Sequence, residues 1–362
     1  MSHAKSKQFS NSPTISIGGR AIGNGHSPLL LPDIGTFFNK QVEEAIELID
    51  SLIDQGVEVV KAEILHDPSI CLDDETLESY YSTKSGGVVE ERYRDLIERK
   101  VVSLEDYDRI FGHCRYLDIP FVLSVYDFVG ADFALRSGVA ALKIASSNIV
   151  HEPLIRYLAQ TGKPLVIDTG RSTMLEIDRA LSWARQSGAK EIILEHSPPP
   201  PPALVENQNL KVLDTFAEKF DCLTALSDHH AGSEMLYAAA ARGVSMLEKG
   251  VCRDDKEDDQ DVAHALRVSD FCEVNRVCQT IYAGLGREEL PPVKKKKISR
   301  MGLVAAKDLA KGDCVSPENI SYAFPALGIP VEDWSKANGL RITKSVSAGK
   351  PLGWGDVDDT TA

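Results

Sequence analysis

No CxxC pair occurs in this 362-residue chain, although it carries seven cysteines, Cys71, Cys114, Cys222, Cys252, Cys272, Cys278 and Cys314. An odd, scattered set of this kind argues for reduced thiols and against a disulfide framework. Excess positive charge is also missing. The formal net charge of −14 argues against a nucleic-acid or anionic-membrane surface, both of which call for a basic face, so a bound anion would need a local cationic pocket. No apolar run is long enough to span a bilayer, and the opening MSHAKSKQFSNS lacks the apolar stretch of a signal peptide, so the cytoplasm is the expected compartment. A GxGxxG turn after a strand is absent too, which counts against a dinucleotide-binding sheet. What remains is an ordinary globular composition. A hydrophobic content of 43% over 362 residues suffices for one large domain and a small one.

Short apolar runs alternate with amphipathic stretches, the pattern of parallel βα units. The runs are PLLLPDIG (28–35), VEVVKAEIL (57–65), PFVLSVYD (120–127), AALKIAS (140–146), PLVIDTG (164–170), EIILEHS (191–197), LTALSDH (223–229) and VSMLEKG (244–250). Helical spacing links Val42, Ala45, Ile46, Ile49, Leu52 and Ile53 before Gly56, and Thr173 with Glu176 forms a capping box ahead of Ile177, Leu181 and Ala184. Further helices are expected over 103–118, 152–162, 209–220 and 233–243, with a long last one near 261–284. Eight such units in roughly 260 residues are the size of a (β/α)8 TIM barrel, with a doubly wound open sheet as the alternative. The expected organisation is a disordered stretch over 1–13, a barrel over 14–284 and a linker over 285–298 whose Lys294–Lys297 run is a solvated tether. A small, mostly β module follows over 299–358.

A barrel does its chemistry at the C-terminal ends of its strands. Those ends read Asp33, Lys61 with Glu63, Ser124 with Asp127, Lys143 with Ser146, Asp168 to Arg171, His196 with Ser197, Ser227 with Asp228 and His229, and Glu248 with Lys249. Polar residues also occur wherever strands meet loops, so no single one decides anything. Lys61 and Lys143 are more telling, because each sits inside an apolar strand and a lysine is almost never buried without an anionic partner. Either they are plain salt bridges, to Glu63 or Asp168, or they form a phosphate or carboxylate cradle with Arg171, Ser124, Ser146 and Ser227. His229 alone is weak support for a metal; His196 is placed to approach it, and His230 is expected on another face. The first strand ends oddly, with Asp33 and Gly35 followed by two phenylalanines, Phe37 and Phe38, that read as exposed.

The ordered set IGNGHSPLLLPDIG, VKAEI, LKIASSNI, GKPLVIDTG, LSDHHAG and LEKG resembles the sialic acid synthase family, which includes N-acetylneuraminate, legionaminic and pseudaminic acid synthases and spore-coat polysaccharide relatives. The likeness runs from about Ile17 to the last barrel helix, and SRMGLVAAKDLAKGDCVSPENI resembles that family's C-terminal antifreeze-like (SAF) domain. The resemblance implies condensation of phosphoenolpyruvate with an aldose, phosphate release by C–O cleavage, a divalent metal (Mn or Mg) polarising the aldehyde, no organic cofactor, and a homodimer that exchanges SAF domains. It places Lys61, Lys143, Ser146 and Ser227 at phosphoenolpyruvate-binding positions, with Ser124 and Arg171 beside them. Asp33 takes the place of a glutamate that is a candidate acid/base or sugar contact, and Asp33, His229 and Lys143 are the catalytic candidates. His229 matches a metal ligand, and Asp261 and Asn148 fall on the sugar side.

The departures from that pattern are equally specific. Phe38 replaces a histidine, and Gly250 stands where the second metal histidine belongs. Asp168 replaces the serine of an STG motif. Pro198 replaces a polar contact at the head of a five-proline run, and Phe324 replaces an arginine that in the family reaches the other subunit's sugar site. Loss of one of two histidines weakens a metal site by several kcal/mol of a total on the order of 10 kcal/mol, and Cys252, Glu248 or Asp254 are the substitutes at hand. Three readings follow: a phosphoenolpyruvate-dependent synthase with altered acceptor or metal dependence, a non-catalytic sugar- or anion-binding homologue, or a barrel aldolase or lyase using Lys61 or Lys143 as a Schiff-base amine.

Overall fold

The computed structural model describes residues 13–35, 37–38, 40–82, 84–198, 203–256, 261–286, 290 and 297–358. The expected disordered stretch lies outside them up to residue 12, as do most of the tether and four of the five prolines after Ser197.

Two antiparallel strands, β1 (Thr14–Ile17) and β2 (Arg20–Gly23), precede the barrel and have no counterpart in the hydrophobic pattern read above. The barrel strands are β3 (Leu29–Asp33), β4 (Val60–Ile64), β7 (Phe121–Val125), β8 (Ala141–Ile144), β9 (Leu165–Asp168), β10 (Ile192–His196), β11 (Leu223–Asp228) and β12 (Met246–Cys252); a second hairpin, β5 (Leu77–Ser82) with β6 (Gly87–Arg92), is inserted after β4. All eight barrel strands pair in parallel, in the order β11-β10-β9-β8-β7-β4-β3-β12, and β11 pairs β12 to close the ring. The TIM barrel expected from the sequence is therefore present, and the open sheet is excluded.

Side chains alternate along a strand, so one residue in two faces the barrel axis. The lower inward layer is apolar: Leu29, Leu31, Val59, Val122, Ala141, Val166, Ile193, Leu223, Ala225 and Met246 form one buried cluster. Ile15, Ile17 and Ile22 of the β1–β2 hairpin belong to that same cluster, so the hairpin plugs the barrel floor. Its turn needs glycine at position 18, where φ is +57° and an added Cβ would lie 2.1 Å from Pro120 Cβ. One step further along each strand, two residues on, the inward positions become polar; that layer is the site.

Outward residues of the strands pack under the helices in the main core. Helix Met174–Gln186 starts at the expected capping box, with the Thr173 side chain accepting from Glu176 N and the Glu176 carboxylate accepting in return. The last barrel helix is shorter than expected, Phe271–Leu285. Residues 261–270 are held extended and in short turns because Leu266–Arg267 pairs with Val251–Cys252 and the Asp254 carboxylate accepts from Ser269 N. The chain divides between Gly286 and Arg287. In the second unit, strands Gly302–Ala305 and Ile320–Ala323 pair antiparallel over a small core that includes Leu303, Leu309, Val315, Ile329 and Leu352.

Candidate active site

The polar layer draws on all eight strands. Lys61 and Lys143 are its two cations, and each is almost fully buried. Lys61 Nζ lies 2.5 Å from Asp33 Oδ2, 3.2 Å from Glu63 Oε1 and 3.6 Å from Glu248 Oε1. Lys143 Nζ lies 2.6 Å from Glu248 Oε1, 2.6 Å from Glu195 Oε2 and 3.2 Å from Asp168 Oδ2. Both alternatives for the lysines thus meet in one place: they stand where a cradle was expected, yet every ammonium is already surrounded by carboxylates. Ser227 Oγ donates to Glu248 at 3.4 Å, whereas Ser124 Oγ is buried with no hydrogen-bond partner among the described residues.

Two ammonium groups against five carboxylates leave the layer short of positive charge, and the ionisations respond. Burial alone would strip the lysines of their protons; the surrounding carboxylates outweigh it and hold both firmly protonated. A Schiff-base role needs a neutral amine, so the environment opposes the aldolase reading. Burial raises Asp33 to about 7, with Glu248 and Glu63 adding to the rise and Lys61 opposing it. Burial, then Glu248 and Asp168, lift Glu195 to about 8 against Lys143. Glu248 goes the other way, to about 2, because Lys143 and Lys61 together overcome its burial. Protons therefore sit on some members of this layer near neutral pH.

Above the layer opens a cavity of roughly 310 Å³ whose lining includes Asp33, Glu63, Tyr126, Ser146, Arg171, Ser227, Glu248, Asp261 and two histidines, His229 and His264. Of the expected site residues, Asp33, Ser146, Arg171, Ser227, His229 and Asp261 face this space, while Lys61, Lys143 and Ser124 lie in the layer beneath it. Asn148 does not line it; its amide donates to the Tyr126 carbonyl at 3.1 Å. Nor does His196 approach His229. The strand register turns His196 outward, where Nε2 meets the Gln208 carbonyl at 2.8 Å and the ring packs edge-on against Phe216. The inward residue of that strand is its neighbour Glu195. His230 points elsewhere, as expected, toward the Ala203 carbonyl.

The two phenylalanines are buried, contrary to their reading as exposed. Phe38 joins the core beneath the helices, and Phe37 packs with Cys252 and Val262. A Cβ added to Gly250 would lie 3.1 Å from Phe37 Cζ, so the Phe37 ring fills the space a side chain at position 250 would need.

His264, which the sequence reading missed, supplies another imidazole. Its ring centroid is 5.1 Å from that of His229, edge to face, and its buried Nδ1 has no partner among the described residues. Burial, with His229 next, lowers it to about 3 and keeps it neutral. Asp261 Oδ1 is 4.0 Å from His264 Nε2, while Asp261 Oδ2 is taken by Lys100 at 3.3 Å. Among the described residues no three His, Cys, Asp or Glu side chains converge on a point that suits a metal ion. The proposed substitutes do not repair this: Cys252 is shut into the Phe37 cluster, Asp254 accepts from Ser269 N, and Glu248 is held by both lysines. The residues present do not fit a family-type metal site.

The chain matches the NeuB family over residues 48–289 and the SAF domain over 300–358. An N,N'-diacetyllegionaminic acid synthase of Campylobacter jejuni is 24% identical, over 88% of this chain and 96% of that protein. A pseudaminic acid synthase of Helicobacter pylori is 25% identical, over 91% and 98%. Among solved structures, the N-acetylneuraminic acid (sialic acid) synthetase of Leptospira borgpetersenii aligns with a TM-score of 0.67 at 20% identity, covering 78% of this chain and 93% of that one. The spore coat polysaccharide biosynthesis protein SpsE of Bacillus subtilis aligns with a TM-score of 0.65 at 20% identity, covering 96% and 99%.

Proposed function

Because the chain belongs to the NeuB family and carries a SAF domain, we propose that it condenses phosphoenolpyruvate with an aldose to form a nonulosonic-type acid, activating the acceptor by a proton. The observation that carries this reading is the placement of Asp33. Its carboxyl sits at the wall of the cavity, directly above Lys61, and is raised to about 7. A group with a pKa near the working pH is the most effective general acid or base.

In this scheme Lys61 and Lys143, with Ser146 and Ser227, hold the carboxylate and phosphate of phosphoenolpyruvate. Its C3 attacks the aldehyde carbon, and protonated Asp33 gives its proton to the aldehyde oxygen as the carbon–carbon bond forms. Water then adds at the electron-poor C2, returning one proton to the Asp33 carboxylate, and the C2–O bond to phosphate breaks as the new C2 hydroxyl passes its proton to the departing phosphate, leaving a keto acid and inorganic phosphate. Asp261, anchored by Lys100, and His229 face the acceptor. No step is routed through a metal. Phosphate release from phosphoenolpyruvate, assayed with a panel of N-acetylated aldoses with and without manganese, tests the proposal. Turnover that disappears in Asp33→Asn is the expected result. No turnover with any aldose, together with no phosphoenolpyruvate binding, sinks it.

A second reading, a sugar-binding homologue without catalysis, is favoured by one specific observation: Arg171 is the one Arg or Lys among the described lining residues, against Asp33, Glu63, Asp228, Glu248 and Asp261. Such a wall suits the hydroxyls of a neutral ligand. Aldose binding that is unaffected by phosphoenolpyruvate, with no phosphate released, distinguishes it.

A further inference from the structure

The occupied state of Lys143 leads beyond the reaction itself. All three of its neighbours within ion-pair distance are carboxylates, and they come from three different strands: Asp168 from β9, Glu195 from β10 and Glu248 from β12. Glu248 is shared with Lys61, and Asp168 is tied at its other oxygen to Gly170 N at 2.9 Å. Glu195 is the least tied of the three: it is wholly buried, Lys143 at 2.6 Å from Oε2 is its one ion-pair partner, and neither oxygen has an aligned hydrogen bond among the described residues, whereas Glu248 has one such oxygen, Oε2. A carboxylate this poorly satisfied in a dry barrel is the member of the layer most easily converted to its neutral form.

Resting on the phosphoenolpyruvate reading above, we propose that Asp168 and Glu195 are built-in anions that determine which ligands this barrel accepts. They hold Lys143 in the ligand-free protein, and an anionic ligand takes their place only as a proton is taken up onto the layer. Charge balance favours this wherever the layer is ionised before the ligand enters. The groups facing Glu195 across the barrel are Lys143, Asp168, Glu248, Lys61, Asp33 and Glu63, with the hydroxyls of Ser124 and Ser227 between them and His229 at the mouth; its chain neighbour His196 faces outward. Fully ionised, the seven charged side chains of the layer already sum to negative, so a phosphate dianion entering without a proton would meet net repulsion at low dielectric. Protonated Glu195 removes one negative charge and turns an acceptor into a hydrogen-bond donor for a phosphate oxygen. The burial-raised pKa of Glu195 is consistent with this role.

The test is calorimetric titration of the full chain with phosphoenolpyruvate between pH 7.5 and 9, where the ligand phosphate is already a dianion since its second ionisation lies near ~6. Buffers of differing ionisation enthalpy count the protons. The wild-type protein is expected to take up roughly a quarter of a proton on binding at pH 7.5, rising toward one at pH 9, with affinity falling by up to about tenfold per pH unit at the alkaline end. Glu195→Gln is expected to bind without proton uptake and more tightly than wild type at pH 9; Asp168→Asn, at a different strand, should also tighten binding there. If packing alone were at stake, both substitutions would weaken binding instead. PH-independent affinity with no proton uptake in the wild type overturns the inference and leaves the phosphoenolpyruvate reading standing. No binding by wild type or by either folded variant at any pH overturns both.

Discussion

Replacing Lys143 by methionine removes the charge that holds Glu195, Glu248 and Asp168 together while keeping an unbranched side chain of similar length in the strand. The loss of one partner from a buried ion pair costs about 3–5 kcal/mol, because the other is left charged and unsolvated. Here three carboxylates lose the same partner, so the cost should lie at the upper end at neutral pH. It is also expected to depend on pH with a definite sign. Burial already holds the Glu195 pKa above its unfolded value and Lys143 is what opposes that rise, so the penalty is smallest when Glu195 is protonated in both states and grows as pH rises through its folded value. Lys143→Met should therefore recover part of its stability at pH 5.5 relative to pH 8. The double variant Lys143→Met/Glu195→Gln should recover part of it at pH 8 as well. Urea unfolding followed by helical circular dichroism is the assay, since nearly all the helix lies in the barrel unit. A loss below about 1 kcal/mol, the range of an exposed pair, with no pH dependence would refute the reasoning.

The wild-type barrel should itself lose stability as pH rises from about 5 to 8, since Asp33 and Glu195 are raised to about 7 and about 8 and each stabilises the fold most when protonated. Glu248, lowered to about 2, acts oppositely, and its contribution should vanish only as pH falls from 4 toward 2; melting temperature against pH reads both limbs, and Glu195→Gln should flatten the alkaline one. Gly250→His should destabilise by about 1 kcal/mol because the new Cβ would press on the Phe37 ring at 3.1 Å, and Phe37→Ala in the same chain should restore most of that loss in thermal unfolding. Ile17→Ala, at the floor plug, should cost about 2–5 kcal/mol by urea unfolding if the hairpin belongs to the barrel core.

The barrel was legible because parallel strands buried on both sides leave continuous apolar runs, and all eight of those runs are strands. The hairpins were harder to see. TISIGGRAIG is two strands of four residues, too short to show a period of their own. At the site, Lys61 and Lys143 announced themselves as charges within apolar strands, yet the same argument applies to Glu195 in EIILEHS. Glu195 is one residue of register away from His196, the more conspicuous side chain at that strand end, which points the other way. His264 lies in a short turn outside any strand, and nothing in its neighbours marks it. Phe37 and Phe38 looked exposed because they follow a glycine at a strand end, but the vacancy at Gly250, more than two hundred residues away, is what Phe37 fills.

Whether the buried lysines receive phosphoenolpyruvate at all is read most directly by its phosphorus NMR resonance during titration with the wild-type protein at pH 7. A saturable shift or broadening that Lys61→Met abolishes in a folded protein is the result expected here. A resonance unchanged by the wild-type protein, at pH 7 and again at pH 6, would contradict the account.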